Sequence, residues 1–315
     1  FAAALLGGAA RTLVQSGHLA TVQRCVARLP AHVADAHPAI VWAAAWAHAY
    51  YHQVDAAQAR LAQLQALPAD PAVREDGLAL EALVTVHAGS ADDTLRITAQ
   101  HLRHVEGDYP RGILLNVRAY GEIAFHRFDE AQASLDAADQ HNRRAHNLFG
   151  LAAARGLRAA IWSTRGELHR ALACYGAGAD GPAEQTVLAS GLRCELLYET
   201  DQLDSLQALL ALHQPVAEDS LATGLILGSY LTAARLHYAR GNAAAAHALI
   251  DEALARAVQR RFALMEYVCR WEKVRLHTLA GETQQAWRLA PEGVPREAAF
   301  HFAADTEAND IARLR

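Results

Sequence analysis

Hydrophobic and small residues follow a helical spacing through the segment Tyr230–Val258, and one glycine divides this segment into two halves. Counted from Gly241, the second half places Ala246, Ile250 and Ala253 at positions five, nine and twelve, which lie on one face of a helix. Gly241 can adopt a positive φ and end the first helix. The pattern predicts a helical hairpin. Such a hairpin cannot bury its apolar faces alone, so the chain must supply stacked neighbours.

Turn positions equivalent to Gly241 recur along the whole chain, at intervals of roughly 35–40 residues. They are Gly17, His52, Gly89, His126, Gly166, Asp201, Gly241 and Gly281. This period is typical of two-helix repeats, and no segment shows a β-strand pattern. The sequence therefore predicts an all-α fold. We expect a tetratricopeptide-like right-handed superhelix of about eight helical hairpins, in a single domain over residues 1–315.

The buried face of each second helix is predicted by the same spacing. Outside the segment Tyr230–Val258, the predicted positions are Ala57, Leu61, Leu64, Ala131, Leu135, Ala138, Ala171, Tyr175, Leu206, Leu210, Ala286 and Ala290. In the third hairpin the apolar residues come one position later. The sequence there predicts a shifted face made of Leu95, Ala99 and Leu102.

Prolines predict several of the hairpin boundaries, because proline suits a first helical turn and interrupts a helix interior. Pro38, Pro71 and Pro110 predict the starts of the second, third and fourth hairpins, and Pro215 predicts the end of the sixth. After Pro291 the tail is expected either to form a capping helix or to fray.

Composition and charge exclude several classes of protein. The net charge is −5 and the isoelectric point is about 6.4, which does not favour a nucleic-acid surface. The four cysteines are far apart in the sequence and contain no C-x-x-C pair, so neither disulfides nor a zinc framework is expected. The sequence contains no apolar run long enough to span a membrane. We expect a cytoplasmic protein, and a chain that begins with Phe1 is expected to be a piece of a longer one.

Several segments carry a resemblance to a known group of regulators. They are Leu29-Pro30, His37-Pro38, Trp42-x-x-x-Trp46 and Ala57-x-x-x-Leu61, followed by EALVTVHAGSADDTLRITAQHL and GEIAFHRFDEAQASLDAA. Together they resemble the helical-repeat sensor region of MalT-like transcriptional activators, which are large ATP-dependent regulators of the LuxR family. The similarity extends over nearly the whole chain.

The resemblance implies a parent protein with an N-terminal signalling NTPase, this sensor region and a C-terminal helix-turn-helix. Only the middle part is expected here. The single lysine, Lys273, lies in WEKVR with no preceding glycine, which excludes a P-loop. No typical LuxR helix-turn-helix sequence precedes Arg315. We therefore expect no cofactor and no direct nucleic-acid contact in this fragment. Self-association is a further implication of the resemblance.

The histidines and the hydroxyl residues give weak signals for chemistry. His48 and His52 are four positions apart, and His101 and His104 are three apart, but zinc needs a third and usually a fourth ligand. No G-x-S-x-G motif is present. The sequence predicts neither a metal site nor a catalytic site, and the protein is not expected to be an enzyme.

The stronger functional signal is on the first helix of each hairpin, which lines the concave side in stacked arrays. Positions ten and six before each turn, and the tyrosines one helical turn further on, are the groove candidates. They are Trp42, Trp46, Asn116, Tyr120, Glu195, Tyr198, Arg235, Tyr238, Trp271 and Arg275. Aromatic, amide and charged groups of this kind can bind a ring, a sugar or a carboxylate. They can equally be residues that pack between helices.

Two functions are consistent with this pattern. The first is the effector-sensing and protein-interaction domain of a MalT-like regulator, which binds a small-molecule inducer or a partner on its concave face. The alternative is a general tetratricopeptide scaffold that binds a peptide or protein segment without a small-molecule effector.

Overall fold

The computed structural model describes residues 1–51, 53–68, 71–88, 91–176, 191–219, 223–259 and 263–291. In these ranges the chain forms seventeen α-helices and no β-strand, which confirms the all-α fold. The helices are α1 (Ala2–Gln15), α2 (Leu19–Ala27), α3 (Ala31–Asp35), α4 (Pro38–Tyr50), α5 (Val54–Ala66), α6 (Pro71–Ala88), α7 (Ala91–His101), α8 (Asp108–Ala124), α9 (Phe128–Arg144), α10 (Leu148–Thr164), α11 (Leu168–Ala173), α12 (Gly191–Glu199), α13 (Leu203–Asp219), α14 (Thr223–Ala239), α15 (Ala243–Gln259), α16 (Ala263–Leu279) and α17 (Thr283–Leu289).

Sixteen of the described helices pack as eight consecutive pairs that pack against one another, and the short α3 packs against α4. In each pair the second helix lies against the first, from α1 with α2 to α16 with α17. The first helices also contact each other in series, from α4 with α6 to α14 with α16. A further contact joins α1 to α10 across the N-terminal half. Within the described ranges, no helix is long and apolar enough to cross a membrane.

The turns between paired helices adopt the left-handed conformation that the sequence predicts. In the turns within these pairs, the described residues with positive φ are Gly17, His126, Gly166, Asp201, Gly241 and Gly281, and His146 between α9 and α10 also has a positive φ. At Gly241 the N–H donates to Tyr238 O at 2.9 Å, and the next N–H donates to His237 O at 2.8 Å. These bonds satisfy carbonyls that the helix end leaves free. The predicted turns at His52 and Gly89 lie outside the described residues.

The predicted buried faces are mostly confirmed. All three predicted positions are buried in α5, α9 and α15, as are Ala171, Tyr175, Leu206 and Ala286. Leu210 and Ala290 are only partly buried. In α13 the neighbouring Leu209 takes the buried position instead of Leu210.

The predicted register shift in α7 is wrong. Ala99 is exposed, Leu95 and Leu102 are partly buried, and the unshifted positions Thr94 and Thr98 are buried together with His101. Polar residues can occupy this face because they find hydrogen-bond partners within α7 and on the neighbouring α6. Thr98 Oγ1 donates to Thr94 O at 2.8 Å, and His101 Nε2 lies 3.2 Å from Glu81 Oε2.

Several predicted boundaries are confirmed and others need correction. The helices α4 and α6 begin at Pro38 and Pro71, as predicted. The fourth hairpin begins at Asp108, two residues before Pro110, because an acidic residue suits a helix N-terminus. The helix α13 continues past Pro215 to its end at Asp219. The predicted tail after Pro291 lies outside the described residues.

Candidate binding sites

The ten predicted groove residues fall into three separate places. Trp42 and Trp46 belong to an aromatic cluster in the N-terminal half. Asn116 and Tyr120 lie on α8. The remaining six lie on α12, α14 and α16, which are the first helices of three successive hairpins. They are Glu195, Tyr198, Arg235, Tyr238, Trp271 and Arg275.

The aromatic cluster consists of Trp42, Trp46, Tyr50, Tyr109 and Phe149. The ring centroids of Trp42 and Trp46 lie 6.0 Å and 5.7 Å from that of Tyr109. Tyr50 contacts Phe149 edge-on, with centroids 4.3 Å apart, and so joins α4 to α10. Both tryptophans are almost completely buried. The structure therefore places these two groove candidates within a core rather than on an open face.

An arginine from α1 and a carboxylate from α6 complete one side of this cluster. The Arg11 guanidinium carbon lies 4.8 Å from the Trp42 ring centroid and 5.5 Å from that of Tyr109. Arg11 also forms a salt bridge with Asp76, whose side chain is 1% exposed, whereas that of Arg11 is 43% exposed. Burial raises the pKa of Asp76 to about 6, although Arg11 and the Trp42 indole both lower it. The carboxylate is thus incompletely compensated.

The tryptophans of this cluster contain unsatisfied polar groups. Neither the Trp42 nor the Trp46 indole N–H has a hydrogen-bond acceptor among the residues described. The Trp42 N–H is close enough to Asp76 to lower its pKa, but the two groups do not reach hydrogen-bond geometry. A buried N–H without an acceptor is costly, so these two groups lower the stability of the aromatic cluster.

Asn116 belongs to a packed amide network between α8, α9 and α10. Its side-chain N–H donates to Gly150 O at 2.9 Å, and the Gly150 N–H donates to Asn147 Oδ1 at 3.1 Å. A Cβ at Gly150 would lie 2.4 Å from Asn142 Oδ1, so only glycine permits this packing. Asn116 is buried in this network, which indicates a structural role. Tyr120 is half-buried, and burial raises its pKa to about 12.

The candidates in the C-terminal half converge on an ionic cluster, which we define as Glu195, Tyr198, Arg235, Glu272 and Arg275. Arg235 forms a two-pronged salt bridge with Glu272. Its Nε donates to both carboxylate oxygens at 3.1 and 3.0 Å, and its Nη2 donates to Oε2 at 2.6 Å. Arg275 donates to Glu272 Oε1 at 3.1 Å, and its guanidinium lies 5.9 Å from the Tyr198 ring centroid. These contacts connect α12, α14 and α16.

Glu272 is the member of the ionic cluster that the sequence reasoning missed. It lies between the two predicted positions Trp271 and Arg275, and its side chain is 3% exposed. The available signal was the second of two acids on this helix, which lies three positions before Arg275 and directly after the buried Trp271. An acid on a helix that is otherwise buried requires a cation on a neighbouring element.

The carboxylates of the ionic cluster differ in their surroundings. Burial alone would raise the pKa of Glu272, but Arg235 and Arg275 hold it below its usual value. Burial raises the pKa of Glu195, and Glu199 and Glu272 raise it further against the opposing effect of Arg235. Glu272 is therefore firmly ionised, whereas Glu195 is half-buried and favours a proton or a cationic neighbour.

Tyr238 and Trp271 lie beside the ionic cluster and contribute mainly to packing. Trp271 is buried against Tyr267, with centroids 6.3 Å apart. The Trp271 indole N–H has no acceptor within the described part of the chain. Tyr238 is half-buried and packs against the C-terminal core. Arg275 retains some exposure, so the accessible side of the cluster is formed by Glu195, Tyr198 and Arg275.

A groove of about 560 Å³ lies on another side of α14, between α13 and α15. Leu210, Leu236 and Leu249 form apolar parts of its lining, and Arg240 and Glu252 provide charges. Positions 235 and 237 are about 200° apart around a helix, so His237 faces this groove while Arg235 faces the ionic cluster. We call this the α13–α15 groove. A similar groove lies between α5 and α7, over α6.

The histidine pairs do not gather a ligand set in the described structure. His48 Nδ1 contacts Gln53, and His101 contacts Glu81, while His52 lies outside the described residues. No group of three or more histidine, cysteine, aspartate or glutamate side chains is arranged for a metal ion among the residues that the structure describes. Burial raises the pKa of Cys194 and of Cys269 to about 12, so neither thiol is poised as a nucleophile.

Comparisons with known proteins return no relative for this chain. No family model, no curated protein and no solved structure matches it. Function must therefore be argued from the residues and their geometry.

Proposed function

We propose that this chain is the effector-sensing and interaction region of a MalT-like regulator of the LuxR family. In this proposal the eight hairpins form a tetratricopeptide-like right-handed superhelix, and an inducer or partner binds on the face of the first helices. The repeat period, the positive-φ turns and the serial contacts between first helices support that architecture. The parent protein would act in the cytoplasm and assemble when activated.

The ionic cluster is the observation that carries this proposal. Three successive first helices bring Tyr198, Arg235 and Arg275 together from the positions that the repeat register selects. Their accessible side offers an aromatic face, a guanidinium and the half-buried carboxylate of Glu195. A polyhydroxyl or carboxylate-bearing effector can bind such a set through charge-assisted hydrogen bonds and ring stacking.

Binding at this place can change the state of the parent protein. The Arg235–Glu272 salt bridge links α14 to α16, and Arg275 links α16 to Tyr198 on α12. An effector that contacts Arg275 and Glu195 therefore joins the sixth and eighth hairpins directly, and the Arg235–Glu272 salt bridge connects the seventh to them. If it binds one arrangement of these hairpins more tightly, it shifts the population toward that arrangement.

A thermal-shift screen of this chain against sugars, aromatic acids and short peptides tests the proposal. For a compound that stabilises the chain, we expect Y198A and E195Q to weaken binding at least tenfold, about 1.4 kcal/mol. These two residues are half-buried, so the substitutions should preserve helix content, measured by circular dichroism. R96Q, which alters an exposed arginine on α7, is the matched control. Unchanged affinity in both cluster variants would rule this site out.

The sequence of the gene on either side of this segment tests the regulator itself. We expect a P-loop module upstream and a helix-turn-helix downstream. If both are absent, the regulator assignment fails even if the cluster binds a ligand.

The α13–α15 groove favours a second candidate, a scaffold that binds a peptide without a small-molecule effector. The groove combines apolar side chains with Arg240 and Glu252, a combination that suits an apolar peptide segment flanked by charges. Stabilisation by peptides alone, lost in L236D but kept in Y198A, would support this candidate over the sensor.

A further inference from the structure

We propose that Trp42, Tyr109 and Asp76 form a binding site for a small organic cation, a guanidinium or ammonium group, and that Arg11 fills this site when no ligand is bound. This inference goes beyond the proposed function, because the site lies on α4, α6 and α8 and does not include the ionic cluster. It also holds whether or not the parent protein is a regulator.

The three side chains have the arrangement of an aromatic cage. The Trp42 and Tyr109 ring centroids are 6.0 Å apart and their planes are inclined by 49°. One guanidinium contacts both rings, at 4.8 and 5.5 Å from their centroids, and reaches the buried Asp76 carboxylate. Two ring faces and a desolvated carboxylate are the groups that bind organic cations in proteins.

Arg11 can leave this site without unfolding its helix. Its side chain is 43% exposed, although the carboxylate that it contacts is 1% exposed. The helix α1 is anchored independently by Ala10 and Val14, which are buried against the N-terminal core. A change of side-chain rotamer is therefore enough to empty the cage. Arg11 acts as an intramolecular competitor for any free cation.

The bound arginine also leaves the site incompletely satisfied. Burial, with a smaller effect from the nearby Glu75, keeps the pKa of Asp76 at about 6 even with Arg11 in place. The Trp42 and Trp46 indole N–H groups have no acceptor among the described residues. Arg11 therefore does not fully compensate the buried Asp76 carboxylate.

The test uses N-butylguanidinium as the cation and N-butylurea as its neutral isostere, titrated into this chain with tryptophan fluorescence and calorimetry as readouts. Removing the competitor should tighten cation binding, because the competent state is then always populated. We expect R11A to bind N-butylguanidinium at least tenfold more tightly than wild type, with R11K between them. Tetramethylammonium should follow the same order.

Two further substitutions distinguish a cation site from a filled cavity. D76N in the R11A background should abolish cation binding, and N-butylurea should bind no variant. R170A is the matched control, since Arg170 lies 3.5 Å from the Trp162 ring centroid and pairs with the partly exposed Glu167. We expect R170A to leave the affinity unchanged.

The inference is overturned if R11A binds the cation no better than wild type, or if the urea binds equally well. If R11A does not fold, the test compares the affinities of wild type and R11K for N-butylguanidinium. Tighter binding by R11K that D76N removes supports the site, and equal affinity overturns the inference. None of these outcomes depends on the ionic cluster, so they are separable from the test of the proposed function.

Discussion

Each half of this protein contains an arginine paired with a deeply buried carboxylate, and the two pairs are built differently. In the N-terminal half, the half-exposed Arg11 reaches down to Asp76 across two aromatic rings. In the C-terminal half, Arg235 is only 10% exposed and contacts both oxygens of Glu272, which Arg275 also contacts. The first carboxylate has one cation, which is 43% exposed, and the second has two, which are 10% and 14% exposed.

This difference in the neighbouring arginines determines the direction in which the pKa of each carboxylate is shifted. Burial dominates at Asp76 and raises its pKa to about 6, because a single accessible arginine does not offset the desolvation. At Glu272 the two arginines outweigh burial and lower the pKa. Two acids with similar burial thus have pKa values shifted in opposite directions. Asp76 can therefore take up a proton at a pH close to neutral. Glu272 stays ionised, because the arginines around it keep their protons.

Neutralising each carboxylate should give the largest contrast. We expect E272Q to lower the free energy of unfolding by about 3–5 kcal/mol at pH 7, because the largely buried Arg235 and Arg275 lose the charge that they share. D76N should change it by less than about 1 kcal/mol, because the amide still accepts from Arg11 and the buried charge disappears. Urea unfolding measures both. Equal losses would show that the two pairs are equivalent.

The pH dependence of stability should have opposite signs in the two regions. The folded pKa of Asp76, about 6, is above its ordinary value of 3.8. Its favourable contribution is therefore present below pH 4 and is lost as the pH rises to about 6, by about 3 kcal/mol at most. Glu272, with a lowered pKa, contributes above its unfolded pKa and loses this contribution as the pH falls.

Urea unfolding from pH 3 to pH 7 measures this effect as the difference between wild type and each variant. The difference from D76N should decrease toward neutral pH, and the difference from E272Q should decrease toward acid. If the unfolding free energies of wild type and D76N change in parallel with pH, the pKa of Asp76 is not raised in the folded protein.

Removing Arg11 should cost less than neutralising Glu272. We expect R11A to lose about 1–2 kcal/mol, because half-exposed cation–π and ionic contacts are screened by solvent and Asp76 responds by binding a proton. The loss should be smaller at pH 5 than at pH 7. A loss as large as that of E272Q would mean that Arg11 is part of the fixed core rather than a removable group.

An exposed ion pair shows the smallest loss of stability that we expect on removing an arginine from either region. Arg96 donates to Asp93 at 3.0 Å on the surface of α7. We expect R96A to change stability by less than about 0.5 kcal/mol, since exposed pairs three positions apart contribute little. A larger loss, measured by the same urea unfolding, would mean that burial does not separate the paired clusters from ordinary surface charges.

Local spacing predicted the hairpins well, because a turn and the face beneath it depend on nearby residues. Gly241, Asp201 and His126 adopt positive φ as the repeat register requires, although two of them are not glycine. The prediction failed in α7, where Thr98 replaces an apolar residue and satisfies its hydroxyl within the helix. A register chosen by hydrophobicity alone cannot detect such a substitution.

The candidate sites were only partly predictable, because they depend on contacts between distant segments. The register predicted that Arg235 and Arg275 face a groove, but it gave no sign that both contact one acid, Glu272, which lies between register positions. Trp46 was predicted to face a groove and is buried, because helices from later and earlier hairpins cover it. A salt bridge such as that of Arg11 with Asp76, 65 positions apart, leaves no periodic signal.

The contact between Tyr50 and Phe149 has a consequence for how the chain acquires its structure. Most helix contacts join neighbouring hairpins, a pattern that lets a repeat protein fold and fray one unit at a time. This ring pair joins positions 50 and 149, and α1 also contacts α10, so the first five hairpins form a closed circuit of contacts. Closing so long a loop has a high entropic cost and slows folding. We expect the amide hydrogens of α1 to α10 to exchange with solvent as one cooperative unit, while α14 to α17 open separately.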